Sequence, residues 1–205
     1  MPFLKKQKPD TFITIIDNIT LRGDRVLLRA PRRSDWQAWR NMRKANEAHL
    51  KPFEPEWPQH CHTAHFFENR LKKQMQDWQE DRANYFLIFK TDDRTKNETL
   101  IGGININHIH RGISQNCSLG YWIDQAHEGQ GYMREAMLAI IGYCFKDLGL
   151  HRIHAACLPH NARSKNLLLR CGFAEEGYAQ SYLKIAGYWQ DHILFGYTRE
   201  RWTNA

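Results

Sequence analysis

Two glycines one residue apart, Gly129 and Gly131, sit in a polar loop that joins a short apolar run to an amphipathic helical pattern. The run is Cys117-Ser-Leu-Gly-Tyr-Trp-Ile123 and the loop is His127-Glu-Gly-Gln-Gly131. The helical pattern runs from Tyr132 to Leu148, and Gly149 stops it. The first four N–H groups of a helix have no partner inside it. The helix dipole adds partial positive charge at the same end. Glycine lets the backbone approach a ligand without a Cβ in the way. Together these make an anion site suited to a phosphate or pyrophosphate. Glycines in strand-to-helix loops also serve turning alone, so the spacing leaves both readings open.

The elements around the loop must position it. A second apolar run, Arg152-Ile-His-Ala-Ala-Cys-Leu158, leads through Pro159-His-Asn161 into a short helix ending at Cys171-Gly172. This is a β-α-β-α unit, and two strands joined through a helix in one sheet lie parallel with a right-handed crossover. Met133, Met137, Ile140, Cys144 and Leu148 give the first helix its buried stripe. Upstream, residues 25 to 30 read as a strand, and Ser34-Asp-Trp-Gln37 fits a capping box opening a helix with Trp36, Trp39 and Met42. Lys51-Pro-Phe-Glu-Pro-Glu-Trp-Pro58 is a stiff loop. Its Phe53 and Trp57 suit the lid or wall of a binding groove, or a plug at the core's edge. Residues 63 to 80 read as a helix with Phe67, Leu71, Met75 and Trp78 on one core stripe. Strands follow at 85 to 90 and 99 to 109, with a polar turn over 91 to 98 between them. Gly102-Gly103 marks a bulge or a close backbone approach in the second strand. Residues 175 to 183 and 188 to 197 form a closing hairpin that turns at Ala186-Gly187. Residues 1 to 18 read as an arm with a short edge segment at Phe12 to Ile16, and residues 19 to 205 as one domain.

Composition narrows the class. A chain of 205 residues is long enough for one domain with a substantial core. A net charge of +7 suits an anionic ligand, an RNA-rich partner or simple solubility. Eight basic and two acidic residues fall between Arg22 and Lys44, as a solvated face or a patch facing phosphates or RNA. The five cysteines are odd in number, form no Cys-x-x-Cys pair and mostly sit in apolar runs, a pattern of reducing compartments. No apolar run reaches transmembrane length, so the expectation is a soluble, cytoplasmic protein without membrane contact. His108 and His110 share a strand face, but Cys61 and His62 are remote in sequence, and no metal constellation is expected.

The order of elements and several motifs resemble the GCN5-related N-acetyltransferases (GNAT), and within them the ribosomal-protein-alanine N-acetyltransferase group. The motifs are Leu50-Lys-Pro-Phe-Glu-Pro55, Leu119-Gly-Tyr-Trp-Ile123, Glu128-Gly-Gln-Gly-Tyr-Met133, His151-Arg-Ile153, Pro159-His-Asn-Ala-Arg-Ser164, Cys171-Gly-Phe-Ala-Glu-Glu-Gly-Tyr178 and Gly187-Tyr-Trp-Gln-Asp-His192. They lie within a region from about residue 19 to residue 202. The resemblance implies a single α/β domain, with a mixed, mostly antiparallel seven-stranded sheet and helices on both faces. The sheet would splay between the strands at 117–123 and 152–158, and acetyl-CoA would lie in the gap. Glu128, Gly129, Gln130, Gly131, Tyr132 and Met133 would meet the CoA pyrophosphate. The amides of Trp122 and Ile123 would hold the pantetheine arm and the thioester carbonyl, and Asn161 and Ser164 would sit near the sulfur. The acceptor would be the N-terminal α-amine of a ribosomal protein, alanine by the group resembled. Ribosome or RNA contact through the basic surface, and a monomer or homodimer, would accompany that role. A small-molecule amine as acceptor, and a non-catalytic CoA-binding module on ribosomes or RNA, are the alternatives.

The sequence departs from the wider family at four positions. Glu128 stands where Arg or Gln is usual, and Met133 where Gly or Ala is usual. Leu168 replaces a tyrosine that often serves as general acid, and Ser118 replaces a glutamate that often serves as base. An α-amine has a pKa of about 7.8 and a lysine side chain about 10.4, so near pH 7 the neutral fraction is roughly 400-fold larger for the α-amine. Loss of a carboxylate at Ser118 is therefore tolerable for an N-terminal acceptor. Ser164 is the candidate general acid toward the thiolate, with Asn161 beside it, although both also fit the first turn of a helix. Tyr182, Asp191 and His192 on the last hairpin line an acceptor groove or form a satisfied strand pair.

Overall fold

The structure is a computed structural model that describes residues 19–92 and 97–203. The arm of residues 1 to 18, its edge segment and residues 93 to 96 of the 91–98 turn lie outside the described residues. In chain order the elements are β1 (Thr20–Arg22), β2 (Val26–Arg29), α1 (Trp36–Ala45), α2 (Glu47–Leu50), α3 (Ala64–Gln79), β3 (Asn84–Thr91), β4 (Glu98–His110) and β5 (Asn116–Ile123). Then come α4 (Tyr132–Lys146), β6 (Arg152–Cys157), α5 (Ala162–Arg170), β7 (Ala174–Ile185), β8 (Tyr188–Thr198) and α6 (Arg199–Thr203).

Among the described residues the strands form one sheet of eight, not seven, in the order β1-β2-β3-β4-β5-β6-β8-β7. The added strand, β1, pairs three residues with β2. It offers one apolar side chain between two polar ones, too little alternation to read as a strand. Every pairing is antiparallel except β5 with β6, the pair joined through α4.

Alternation along the strands builds a core on each face. Phe86 and Ile88 of β3 and Ile104 and Ile106 of β4 join Met137, Ile140, Cys144 and Phe145 of α4 in the larger one. Leu87 and Phe89 of β3 face the other way, against Trp39 of α1 and Phe67 of α3. The α3 stripe therefore divides: Phe67 and Leu71 belong to the second core, and Met75 and Trp78 reach the first. The Gly102-Gly103 pair does mark a bulge, because Ile88 pairs with Gly102 while Phe89 pairs with Leu100, leaving Ile101 extra.

The start of α1 differs from the capping-box reading. The Asp35 carboxylate accepts the Arg32 N–H at 2.7 Å and takes both Arg29 guanidinium nitrogens at 2.7 and 2.8 Å. A 3₁₀ turn at Arg33–Asp35 results, and Gln37 donates instead to Asn41. A charge-assisted, two-point contact from Arg29 outcompetes a serine hydroxyl for this turn.

Candidate active site

The site follows from how β5 and β6 part. They pair only from Asn116 to Ser118 against Arg152 to His154. Beyond that, β5 stays with β4 as far as Ile123, and β6 stays with β8 as far as Cys157. The edge of β5 from Leu119 onward is thus left without its neighbour. A cleft of about 420 Å³ opens there, lined by β5, the glycine loop, the start of α5 and residues 49 to 54.

Register decides which backbone groups face the gap. Ile123 sits opposite Gly102, and the Asp124 N–H donates to the Ile101 carbonyl at 2.8 Å. In an antiparallel pair the hydrogen-bonded and non-hydrogen-bonded positions alternate. Trp122 therefore exchanges its N–H and C=O with Gly103, while Tyr121 and Ile123 turn theirs toward the gap. Of the two amides named from the sequence, that of Ile123 faces the gap and that of Trp122 belongs to the sheet; the Tyr121 amide also faces the gap. Trp122 still lines the cleft. A Cβ on Gly103 would come within 2.6 Å of the Trp122 indole nitrogen, so this is also the close approach expected at the glycine pair.

Gly129 and Gly131 adopt φ of 70° and 89°, which glycine tolerates and β-branched residues do not. The N–H groups of residues 129 to 134 have no acceptor among the described residues. Arg25 fixes the loop from outside. Its Nη2 donates to the Gln130 carbonyl at 2.9 Å, and its backbone N and Nε donate to Glu135 at 2.8 Å each. Holding the Gln130 carbonyl outside turns the Gly131 N–H of the same planar peptide the other way. The Gln130 side chain folds back onto the Ala126 carbonyl at 2.8 Å and is not part of the cleft lining. Tyr132 and Met133 are buried and line it. Asn46 supports the loop's entry, with its Nδ2 donating to Asp124 and its Oδ1 accepting the Gln125 N–H, both at 2.8 Å.

Glu128 does not oppose the anion site unaided. Its carboxylate meets Arg163 at 2.6 Å and His49 at 3.0 Å. Arg134 and Arg170 also line the cleft. The cation excess expected for a phosphate site is therefore present locally.

At the start of α5, Asn161 accepts the Ser164 N–H at 3.0 Å and so caps the helix. The Ser164 hydroxyl lies 2.7 Å from the Tyr121 hydroxyl, and burial pushes the nearby Cys157 thiol up in pKa. Burial likewise raises the Tyr121 hydroxyl above the usual tyrosine range. Leu168 has 0% exposure and belongs to the core, so no side chain at that position reaches the cleft. Ser118 lies where the strands still pair, with its Oγ 3.0 Å from His108 Nδ1.

The acceptor-side expectations divide. Phe53 lines the rim, 41% exposed, with its ring 6.1 Å from that of His160. Trp57 is not a wall of this cleft. It donates through Nε1 to Glu54 at 2.7 Å and stacks beneath Arg43 at 4.0 Å. Glu54, which does line the cleft, is gripped by both Arg43 terminal nitrogens at 2.8 and 2.5 Å. Tyr182 and Asp191 lie off the lining. Tyr182 packs its ring 5.8 Å from that of His192. Asp191 accepts the Tyr178 hydroxyl at 2.6 Å and the Ser181 N–H at 2.8 Å. The cause is an irregularity in the hairpin between Ala179 and Leu183, which the carboxylate stitches. The basic stretch is largely engaged within the protein: Arg25 with Glu135, Arg29 with Asp35, Arg33 with Glu68 and Arg43 with Glu54.

Sequence reasoning did not single out Arg25, Asn46, Glu54 or the side chain of Tyr121. Tyr121 stood inside a motif already noted. Glu54 likewise stood inside the motif at residues 50–55, but it, Arg25 and Asn46 act across 11 to 110 residues of chain, which no local pattern shows. Among the described residues no cluster of His, Cys, Asp or Glu is arranged to hold a metal, and no helix is long and apolar enough to cross a membrane.

The chain is similar in sequence and fold to known proteins. The family described as "Acetyltransferase (GNAT) domain" matches residues 25–174. The chain is 37% identical over 191 residues to the [Ribosomal protein uS5]-alanine N-acetyltransferase of Escherichia coli K12, covering 92% of this chain and 95% of the relative. It is 31% identical over 172 residues to the probable N-acetyltransferase YjcK of Bacillus subtilis, covering 84% and 93%. The crystal structure of ribosomal-protein-S5-alanine acetyltransferase from Vibrio fischeri superposes with a TM-score of 0.80 at 31% identity, covering 90% of this chain and 99% of that one. Mycobacterium smegmatis RimJ in complex with CoA-disulfide gives 0.80 at 29% identity, covering 89% and 87%. The chain belongs to the GNAT family and is an N-acetyltransferase.

Proposed function

We propose that this enzyme moves the acetyl group of acetyl-CoA to the N-terminal α-amine of a ribosomal protein, with alanine as the first residue. The observation that carries the cofactor reading is one cleft with two kinds of free amide. Those of residues 129 to 134 suit a diphosphate at a helix start, and those of Tyr121 and Ile123 suit an extended amide chain and a carbonyl. The relatives named for alanine acetylation of a ribosomal protein support the acceptor.

Bound acetyl-CoA supplies an activated acyl thioester. The chain's residues do the rest. The Ile123 N–H polarises the carbonyl and meets charge developing on its oxygen, a role in which one fixed donor contributes a few kcal/mol. The strand edge and the loop hold the thioester still, which lowers the entropic part of the barrier. Ser164 donates a hydrogen bond to the departing sulfur. Asn161 holds Ser164 by the backbone and belongs to the site as its cap. No carboxylate is required to deprotonate an acceptor of which roughly one part in seven is already neutral near pH 7.

The acceptor reading is tested with an alanine-first peptide and its N-blocked, lysine-containing twin. At pH 7 the free α-amine is expected to react at least about a hundredfold faster, within the roughly 400-fold ratio of neutral amine. Faster acetylation of the lysine contradicts it. Mass spectrometry of ribosomal-protein N-termini, with and without the enzyme, then identifies the substrate. For the loop, Arg25→Ala is expected to raise the KM for acetyl-CoA about fivefold with kcat unchanged, as loss of one charge-assisted contact on a half-exposed side chain implies. Steady-state kinetics at saturating peptide checks this.

A further inference from the structure

We infer that Tyr121 is a positioning residue for the transfer step: its hydroxyl donates to Ser164 Oγ and so leaves the Ser164 hydrogen free to point at the departing sulfur. This rests on the acetyl-transfer reading and on Ser164 as the donor to sulfur. The two oxygens are 2.7 Å apart, the usual O–H···O separation. Distance alone does not say which one donates, but acidity does: a phenol O–H is the better donor and an alkyl hydroxyl oxygen the better acceptor. Tyr121 packs its ring against the larger core, and Ser164 is the one hydrogen-bond partner of its hydroxyl among the described residues. With Tyr121 donating, the Ser164 hydrogen is free to turn into the cleft, which both residues line. The Cys157 sulfur beside it is only a weak acceptor. With Tyr121 as donor, both hydroxyls are satisfied once an anionic sulfur lies in the cleft, and the two bonds strengthen each other.

Tyr121 is not the source of the proton. Burial raises its pKa above that of an ordinary tyrosine, so giving the proton to a thiolate, whose thiol pKa is about 8.5, is uphill. In the balanced step the N–C bond forms and the C–S bond breaks with its electron pair passing to sulfur. The amine proton passes to water, and the sulfur is protonated from water on release. The Ser164 hydroxyl steadies the sulfur's charge meanwhile, and Tyr121 keeps that hydroxyl aimed. The core leucine at 168 leaves α5 without a phenol here, and the neighbouring strand brings one in.

The test compares wild type, Tyr121→Phe, Ser164→Ala and the double variant. The readouts are thiol release from acetyl-CoA with an alanine-first peptide, and the melting temperature of each protein. Tyr121→Phe is expected to lower kcat about tenfold with the KM for acetyl-CoA unchanged and the fold intact. In the Ser164→Ala background the same change is expected to have no further effect. A kcat for Tyr121→Phe within twofold of wild type, a loss confined to KM, or losses that multiply in the double variant would each overturn the inference. If Ser164→Ala retains full kcat, Ser164 is not the donor and the inference falls with it. Absence of turnover by the wild type with any N-terminal peptide would instead remove the transfer reading itself.

Discussion

Replacing Ser164 by alanine is expected to lower kcat about a hundredfold and to leave the KM for acetyl-CoA within twofold of wild type. The size is that of a group that stabilises a leaving atom at the transition state, at the lower end of what general acids and fixed donors contribute. The split between kcat and KM follows from where the hydroxyl points. In the proposed step it meets a charge that exists only while the C–S bond is breaking, so ground-state binding would not use it. The fold tolerates the change, because the contact that caps α5 runs through the Ser164 backbone to Asn161 and survives in alanine. Asn161→Ala is the contrasting case. It removes the cap, so it lowers the melting temperature, where Ser164→Ala does not. Steady-state kinetics and thermal melts of both variants check this, and a Ser164→Ala enzyme with wild-type kcat contradicts it.

Gly131→Val is expected to reduce kcat/KM for acetyl-CoA by at least about a hundredfold. Position 131 has φ of 89°, where an L-residue pays about 1–2 kcal/mol and a β-branched one more. An added Cβ stands 3.1 Å from Arg25 Nη2, the nitrogen that holds the Gln130 carbonyl. The loop must then choose between strain and losing Arg25, and either choice re-aims the amides that lead into α4. Gly131→Ala, which adds the Cβ without the branch, falls between wild type and valine. The loss shows first in KM, since anion contacts serve substrate and transition state alike. Circular dichroism is expected to show an unchanged fold, because the N–H groups concerned support no other part of the protein. A valine variant with wild-type KM contradicts the assignment of this loop to the diphosphate.

Much of the architecture was legible because each element carried its own signal. The Met133-to-Leu148 stripe has helical period, the Ala186-Gly187 turn separates two apolar runs, and Gly129 and Gly131 stand between a strand and a helix. Of the site, the loop, Ile123, Asn161 and Ser164 were readable from local motifs, and all line one cleft. What was not readable depends on register or on distant partners. Whether Trp122 or Tyr121 turns its amide into the gap depends on which pairing phase β4 imposes, and an alternating strand is silent about phase. The pairing of Glu128 with Arg163 and His49 joins three separate elements. Trp57, Tyr182 and Asp191 had the right chemistry for an acceptor groove. Local partners hold them instead: Glu54 for Trp57, His192 for Tyr182, and the irregular turn of the hairpin for Asp191.

Gly103 carries no functional group, yet it governs the far wall of the cleft through a chain of rigid bodies. The Trp122 indole rests on its bare Cα, Arg43 lies 5.2 Å from that ring, and Arg43 clasps Glu54, whose backbone carbonyl in turn holds the hairpin tip through Ala186 at 2.9 Å. A single methyl at 103 would thrust the indole outward, and guanidinium, carboxylate and hairpin tip would have to follow or let go. The tolerance of the acceptor side to mutation is therefore set partly in the middle of the sheet, at a residue that no substrate ever touches.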